Sequence, residues 1–126
     1  MPSGLRKGDL RSLKLVQLAK IAAENKKGID PVILNVGRTS SVASYFLVVH
    51  GTSDRHVRTI AENVIDELQE AGEKVWHREG LNEGRWALLD YGDVVVHVFH
   101  HEVREFYGLE RLWGNPAKKR SYARKS

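Results

Sequence analysis

The stretch RWALLDYGDVVVHVF, residues 85–99, decides the fold. It contains two runs rich in apolar and β-branched residues, 85–91 and 94–99, which predict two strands. Gly92 and Asp93 alone separate the runs, so we expect a tight antiparallel hairpin. Side chains alternate along a strand, so the first run has two distinct faces. These faces are Trp86, Leu88 and Asp90 on one side, and Ala87, Leu89 and Tyr91 on the other.

The rest of the chain predicts three helices and three further strands. Ser12 and Ser53 each precede an apolar helical pattern and are expected to cap it, and Gly28 and Gly72 are expected to end these helices. The predicted order is helix 12–28, strands 32–36 and 45–50, helix 53–72, strands 74–78, 85–91 and 94–99, and helix 101–112. This alternation indicates an α/β fold, a single domain with a mixed five-stranded sheet packed by helices on at least one face.

Composition excludes several classes of protein. The chain has 126 residues, of which 41% are hydrophobic and 29% charged, values typical of one globular domain. It has no cysteine, which rules out disulfides, thiolate catalysis and cysteine-based metal centres. The sequence has neither a run of about 18 apolar residues nor a secretory signal, so we expect a cytoplasmic protein without a membrane span.

The charge is divided unevenly along the chain. Residues 116–126 hold five basic residues and no acidic one, and residues 1–14 carry a net charge of +3. The interior, residues 15–115, holds 11 basic and 15 acidic residues, a net charge of −4. We therefore expect a flexible N-terminal segment (1–11), a folded domain (12–115) and a flexible basic tail (116–126). An acidic body favours a basic protein partner over nucleic acid, although the tail is suited to contact RNA.

The titratable residues do not form a convincing catalytic or metal site. His97 and His100 fall on opposite faces of an extended strand, and no carboxylate completes a metal set with them and His101. Asp90 and Asp93 resemble a magnesium-binding pair, but their spacing places them on opposite faces. We expect Asp93 to be a turn residue that bonds local backbone.

Other residues suit contact with a partner. Residues 51–56, GTSDRH, form a strand-to-helix turn but carry no phosphate-binding glycine motif. Arg55 and His56 there are not explained by helix capping. Trp86 lies on a strand face that offers an aromatic protein-binding surface if no helix covers it. Trp113 is either a further contact or a plug of the core.

Taken together, several separated motifs resemble the ribosomal silencing factor family (RsfS, also called Iojap-like). The resemblance covers residues 13–113. The motifs are GTSDRH at 51–56, Glu79-Gly80, WALLDYGDVVVHVF at 86–99, Arg104, Phe106-Tyr107, Leu109-Glu110 and Leu112-Trp113.

The resemblance implies a fold and a function. The sheet is expected to be similar to the nucleotidyltransferase fold without its catalytic acids, and the chain to be no enzyme and to need no cofactor. Members of this family bind the large ribosomal subunit through its fourteenth protein (uL14) and block joining of the small subunit. They thereby repress translation when nutrients are scarce, and relatives in organelles imply a role in large-subunit biogenesis.

We expect the partner to contact a central group of side chains with three others nearby. The central group is Trp86, Leu88, Asp90, Tyr91 and His97, and the others are Arg55, His56 and Arg104. An exposed apolar sheet face also predicts a homodimer of the free protein. The alternatives are a nucleotidyltransferase-like enzyme and an RNA-binding module driven by the tail.

Overall fold

Three helices and five strands alternate in the computed structural model, which describes residues 7–37 and 43–107. They are α1 (Lys7–Asn25), β1 (Ile29–Asn35), β2 (Tyr45–Gly51), α2 (Asp54–Glu70), β3 (His77–Glu79), β4 (Trp86–Asp90), β5 (Val94–His100) and α3 (His101–Tyr107). The predicted element order and α/β class are confirmed. The basic tail, Trp113 and the predicted end of the last helix lie outside the described residues.

The five strands form one mixed sheet in the order β1-β2-β5-β4-β3. Strands β2 and β5 pair in parallel, and every other neighbouring pair is antiparallel. Strands β2 and β5 are apolar on both faces, which suits their central position, where both faces are covered or partly covered. The predicted β4–β5 hairpin is confirmed, with Leu88 opposite His97 and Trp86 opposite Phe99.

Helices α1 and α2 pack against one face of the sheet. The apolar stripe of α2 is buried there with Val16 and Ala19 of α1 and with alternate valines of β5. Ser53 caps α2 as predicted, because its hydroxyl accepts a hydrogen bond from the His56 amide at 3.0 Å. None of the helices among the described residues has the length and apolarity needed to cross a membrane.

The first helix begins at Lys7, and the prediction that Ser12 caps it was wrong. Ser12 lies inside α1 and is only 3% exposed. Its hydroxyl donates to a carboxylate oxygen of Asp93 at 3.3 Å and so joins the helix to the hairpin turn. A serine before an apolar run is a cap candidate by local chemistry alone. It does not cap the helix when its hydroxyl is bonded to a distant residue instead.

Both edge strands differ from their predicted ranges. Strand β1 begins at Ile29 and contains Pro31, where the register shifts in a β-bulge and Asp30 has a φ of 52°. Proline is tolerated there because an edge strand leaves one side of its backbone unpaired. Strand β3 is limited to three residues, His77–Glu79; Val75 packs against the helix-covered core instead of continuing the strand.

Two glycines with positive φ compare the packing of two turns, Gly80 in the β3–β4 connection and Gly92 in the β4–β5 hairpin. Gly80 has a φ of 78°, and a Cβ atom there would overlap the carbonyl oxygen of Trp86. Gly92 has a φ of 90°, but a Cβ atom would meet nothing within 4 Å. Gly80→Ala should therefore lower the free energy of unfolding by about 3 kcal/mol or more, because the backbone must move. Gly92→Ala should cost about 1–2 kcal/mol, from left-handed strain alone. Urea unfolding measures both, and equal losses would contradict the packing described.

Candidate protein-interaction face

The side of the sheet opposite α1 and α2, which we call the open face, carries a second apolar cluster. Its buried members include Val48 and Phe99, and the partly buried Phe46, Trp86 and Val95 pack against them. The register places Leu88 and Asp90 of β4 on the same side. Among the described residues, α3 packs against this cluster through Val103. The open face is therefore an apolar surface that this part of the chain covers only in part.

An aromatic cluster of four rings, Phe46, Trp86, His97 and Phe99, occupies the centre of the open face. The centroids of Trp86 and Phe99 lie 5.0 Å apart, and Phe46 meets His97 edge-on at 4.7 Å. The edge-on arrangement is favourable for aromatic pairs, and the Trp86 and Phe99 rings are tilted by 32° to each other. Trp86 and Phe46 stay partly exposed, so the cluster offers rigid aromatic area to a partner.

His97 is buried in this cluster, with 4% of its surface exposed. The Trp86 indole N–H donates to its Nδ1 at 3.1 Å. Because an indole N–H only donates, Nδ1 is the acceptor and the proton of the neutral ring is on Nε2. Nε2 is buried without a hydrogen-bond partner among the described residues. Burial lowers the pKa of His97 to about 4, so the ring is neutral at pH 7.

Asp90 takes the role that the sequence predicted for Asp93. Its carboxylate accepts a hydrogen bond from the Gly92 amide at 2.8 Å and so stabilises the hairpin turn. The side chain of Asp93 instead accepts from Ser12, outside the turn. Asp93 lies in the hairpin turn as expected, but the expectation that its side chain bonds local backbone was wrong, because its carboxylate finds a partner on α1.

Leu88 is half-buried on the open face. It lies opposite His97 of β5 and next to Asp90 on the same face of β4.

Tyr91 lies on the other side of the sheet from Trp86. Its ring packs against the core beneath α1 and α2, and burial raises the pKa of its hydroxyl to about 12. The structure therefore does not bring Tyr91 together with the other four central residues. The alternation of side chains already placed it with Ala87 and Leu89, so grouping it with Trp86 conflicted with the strand period.

His56 and Arg104 are both engaged in contacts that hold the fold together. The His56 ring accepts from the Thr52 amide at 3.0 Å and donates through Nε2 to the Lys26 carbonyl at 2.8 Å, linking α2 to the end of α1. Arg104 is 6% exposed, and its Nη1 donates to the Asp30 carbonyl at 2.7 Å.

The same Arg104 nitrogen lies 2.8 Å from Nδ1 of His50, which must accept because a guanidinium only donates. These bonds hold α3 against β1 and β2. Of the three outlying candidates, Arg55 alone is exposed, in the first turn of α2.

Trp76 is a candidate contact residue that sequence reasoning missed. It precedes the edge strand β3 and is 79% exposed, a high value for so large an apolar side chain. Its neighbours Lys74 and His77 are also exposed. The signal available in the sequence was a tryptophan directly after Val75, because neighbouring side chains of an extended segment point to opposite sides and both cannot face the same core.

Two of the described histidines each lie near a single carboxylate: Nε2 of His77 is 2.6 Å from an oxygen of Glu79, and Nε2 of His100 is 3.9 Å from one of Asp54. His97 and His100 point to opposite faces of β5, as predicted, and the His100 ring accepts from the Glu102 amide at 3.1 Å. Within residues 7–37 and 43–107, no group of three or more histidine, aspartate or glutamate side chains is arranged to hold a metal ion.

Comparison with known proteins assigns this architecture to a family. The family model RsfS, described as "Ribosomal silencing factor during starvation", matches residues 9–125. The chain belongs to this family. A ribosomal silencing factor from Bacillus subtilis is 45% identical over 101 residues, covering 80% of this chain and 86% of the relative. The resemblance inferred from the separated motifs is thereby confirmed.

Two crystal structures share the fold of this chain. A protein from Chromobacterium violaceum superposes with a TM-score of 0.80 at 38% identity, covering 82% of this chain and 88% of that one. A protein from Bacillus halodurans superposes with a TM-score of 0.73 at 42% identity, covering 81% and 95%.

The buried His97 makes the stability of the chain depend on pH. Its pKa is about 4 when folded and near 6.5 when unfolded, so the unfolded state binds more protons between these values. Stability contributed by the neutral ring is present above pH 6.5 and is lost as the pH falls towards 4. Lowering the pH from 7 to 5 should cost about 2 kcal/mol through this residue. Urea unfolding at both pH values should show this loss in the wild type and a smaller one in His97→Phe.

The control is His101→Phe, which removes an exposed histidine from the same segment. It should keep the pH dependence of the wild type. If His97→Phe and the wild type lost the same stability between pH 7 and pH 5, His97 would not be the buried neutral group described.

Proposed function

We propose that this chain binds the large ribosomal subunit through uL14 and uses the open face to do so. The bound chain then sterically blocks joining of the small subunit and represses translation, especially under nutrient limitation. Membership in the ribosomal silencing factor family, over residues 9–125, is the observation that carries the proposal. The aromatic cluster supports the choice of surface.

The open face has the composition of a protein-binding surface. Trp86 is a half-buried aromatic residue, and such anchors contribute about 2 kcal/mol or more to many interfaces. Leu88 beside it adds apolar area, and Asp90 adds a carboxylate at the hairpin end. An apolar centre with a polar rim is the usual arrangement of a specific interface.

The distribution of charge supports a basic partner. Residues 15–115 carry a net charge of −4, and ribosomal proteins are generally basic, so opposite charges would accelerate their encounter. The tail, 116–126, has five basic residues and would repel such a protein but attract RNA. We therefore propose that the body contacts uL14 while the tail contacts nearby ribosomal RNA.

The proposed mechanism is steric and involves no catalysis. Two rigid bodies cannot occupy one surface, so inhibition follows from affinity and concentration. The carboxylates of Asp90 and Asp93 serve the hairpin turn and α1, respectively, which argues against a nucleotidyl-transfer site. Because the proposed action is on subunits that are about to join, we propose that the protein acts in the cytoplasm. Binding to a free large subunit is also compatible with a role in the biogenesis of that subunit.

The first test is binding to isolated ribosomal subunits. Purified protein should sediment with large subunits and lower the fraction that joins small subunits as its concentration rises. Absence of binding to large subunits that carry uL14 would remove the proposal. Magnesium-dependent nucleotide turnover that Asp90→Asn abolishes would establish the enzymatic alternative instead.

The second test locates the binding surface with a matched pair of substitutions. Leu88→Arg places a charge at the centre of the open face and should weaken large-subunit binding at least about tenfold, because the charge would be desolvated on docking. Leu18→Arg introduces the same charge on α1, where Leu18 is 42% exposed, and should change binding by less than about twofold. Sedimentation with large subunits measures both. The surface is wrong if the two variants bind alike.

Deleting residues 116–126 tests the tail. We expect binding to weaken about threefold and its salt dependence to flatten, because fewer phosphate contacts release fewer counterions. Affinity measured across a salt series checks this. Complete loss of binding would instead favour the RNA-binding module.

We also propose that the free protein is a homodimer through the same open face. The apolar face would then be covered by a second copy until uL14 replaces it. Light scattering should give the dimer mass for the wild type and the monomer mass for Leu88→Arg. A wild-type monomer at micromolar concentration would contradict this part of the proposal.

A further inference from the structure

His97 is a polar residue at a buried position that is surrounded by aromatic and apolar side chains. Its ring lies among Phe46, Trp86 and Phe99, nearly parallel to Phe99 with an interplanar angle of 10°. Across the neighbouring strands it faces Val48 and Leu88. An apolar side chain of similar size would fill this space without introducing nitrogen atoms.

The histidine also leaves one of those atoms unpaired. Nδ1 accepts from Trp86, so the ring proton is on Nε2, which is buried without a partner among the described residues. A buried donor without an acceptor destabilises the folded state. His97 is therefore a poorer choice for stability than a leucine or phenylalanine would be.

What His97 adds is control over the orientation of Trp86. The Phe99 ring lies with its centroid 5.0 Å from that of the indole and is tilted by 32° to it. A half-turn of the indole about its Cβ–Cγ bond would leave the ring plane unchanged but exchange its two edges, and the hydrogen bond from Nε1–H to Nδ1 at 3.1 Å is met in only one of these two orientations. Since Trp86 is partly exposed, this orientation decides which edge of the indole is presented to a partner.

We propose that His97 is a positioning residue that pre-organises Trp86 for partner binding and does not itself contact the partner. The inference rests on the proposed function, because it assigns the role of one residue within the same surface. A side chain that is already fixed loses less entropy on docking. From the usual cost of immobilising a side chain, removal of the hydrogen bond should weaken binding about three- to tenfold.

The test compares two nearly isosteric replacements. His97→Asn keeps an acceptor oxygen close to the position of Nδ1 but adds a buried amide, whereas His97→Leu removes both polar atoms. His97→Leu should unfold at the same temperature as the wild type or higher and yet bind large subunits about three- to tenfold more weakly. His97→Asn should be the less stable of the two variants and the tighter binder. A merely structural role predicts the opposite, that affinity follows stability.

A double substitution checks that the effect passes through Trp86. Trp86→Phe removes the indole donor, so adding His97→Leu to it should change affinity by less than about twofold. A further loss of threefold or more in that background would show that His97 contacts the partner directly, and would overturn the proposal.

The free protein supplies a readout that does not depend on the ribosome. The chain has three tryptophans, and the indole N–H resonance that disappears in Trp86→Phe identifies Trp86 in a nitrogen-15 spectrum. In His97→Leu this resonance should shift, and its hydrogen exchange should accelerate at least about tenfold. In His97→Asn it should stay close to its wild-type position.

Large-subunit binding and the Trp86 indole resonance together distinguish failure of the proposed function from failure of the positioning role. Wild-type protein that does not bind large subunits would remove the proposed function, while the indole resonance would still decide whether His97 holds Trp86. If the wild type binds and His97→Leu binds with the same affinity, the positioning role alone is overturned. A Trp86 resonance that does not move in His97→Leu would overturn it as well.

Discussion

The register of the β4–β5 hairpin is the constraint on which the rest of the structure depends. Along β5, Val94, Val96 and Val98 point to the helices, and the residues between them point to the open face. A slip of one residue would exchange the two sets and place His97 beneath α2. The two-residue turn at Gly92 and the bond that Asp90 makes to it hold the register. One turn therefore determines both the core and the surface proposed for the partner.

The two faces of the sheet serve different purposes. The helix-covered face is filled by small and branched side chains and supplies most of the buried apolar area. The open face carries the aromatic cluster, in which Trp86 and Phe46 stay partly exposed. Buried polar atoms without a hydrogen-bond partner among the described residues occur on both faces, Nε2 of His97 on the open face and the Tyr91 hydroxyl on the helix-covered one. The partly exposed aromatic rings are therefore the physical reason for proposing the open face as the binding surface.

Features set by neighbouring residues could be predicted from the sequence. The hairpin, the Ser53 cap and the stripe of α2 each depend on residues within a few positions of one another. Ser12 and Asp93 could not be read in this way, because each is bonded to the other across 81 positions of the chain. Local chemistry predicted a helix cap for Ser12 and a bond to local backbone for the side chain of Asp93, and the contact between the two side chains replaced both.

The candidate site was predictable to a similar extent. Alternation along β4 identified Trp86, Leu88 and Asp90 as one face. The sequence did not reveal that Arg104 is held by carbonyl groups of β1, since that contact joins residues 74 positions apart. His56 was likewise a good surface candidate until the fold supplied the Lys26 carbonyl as its partner.

The most direct test of the central claim is crosslinking from the open face. A photo-crosslinking amino acid at position 88, incubated with isolated large subunits and irradiated, should join this chain to uL14. The same group at position 18, on α1, should give little of that product. Equal crosslinking from both positions, or none from position 88 to uL14 while the protein is bound, would contradict the account.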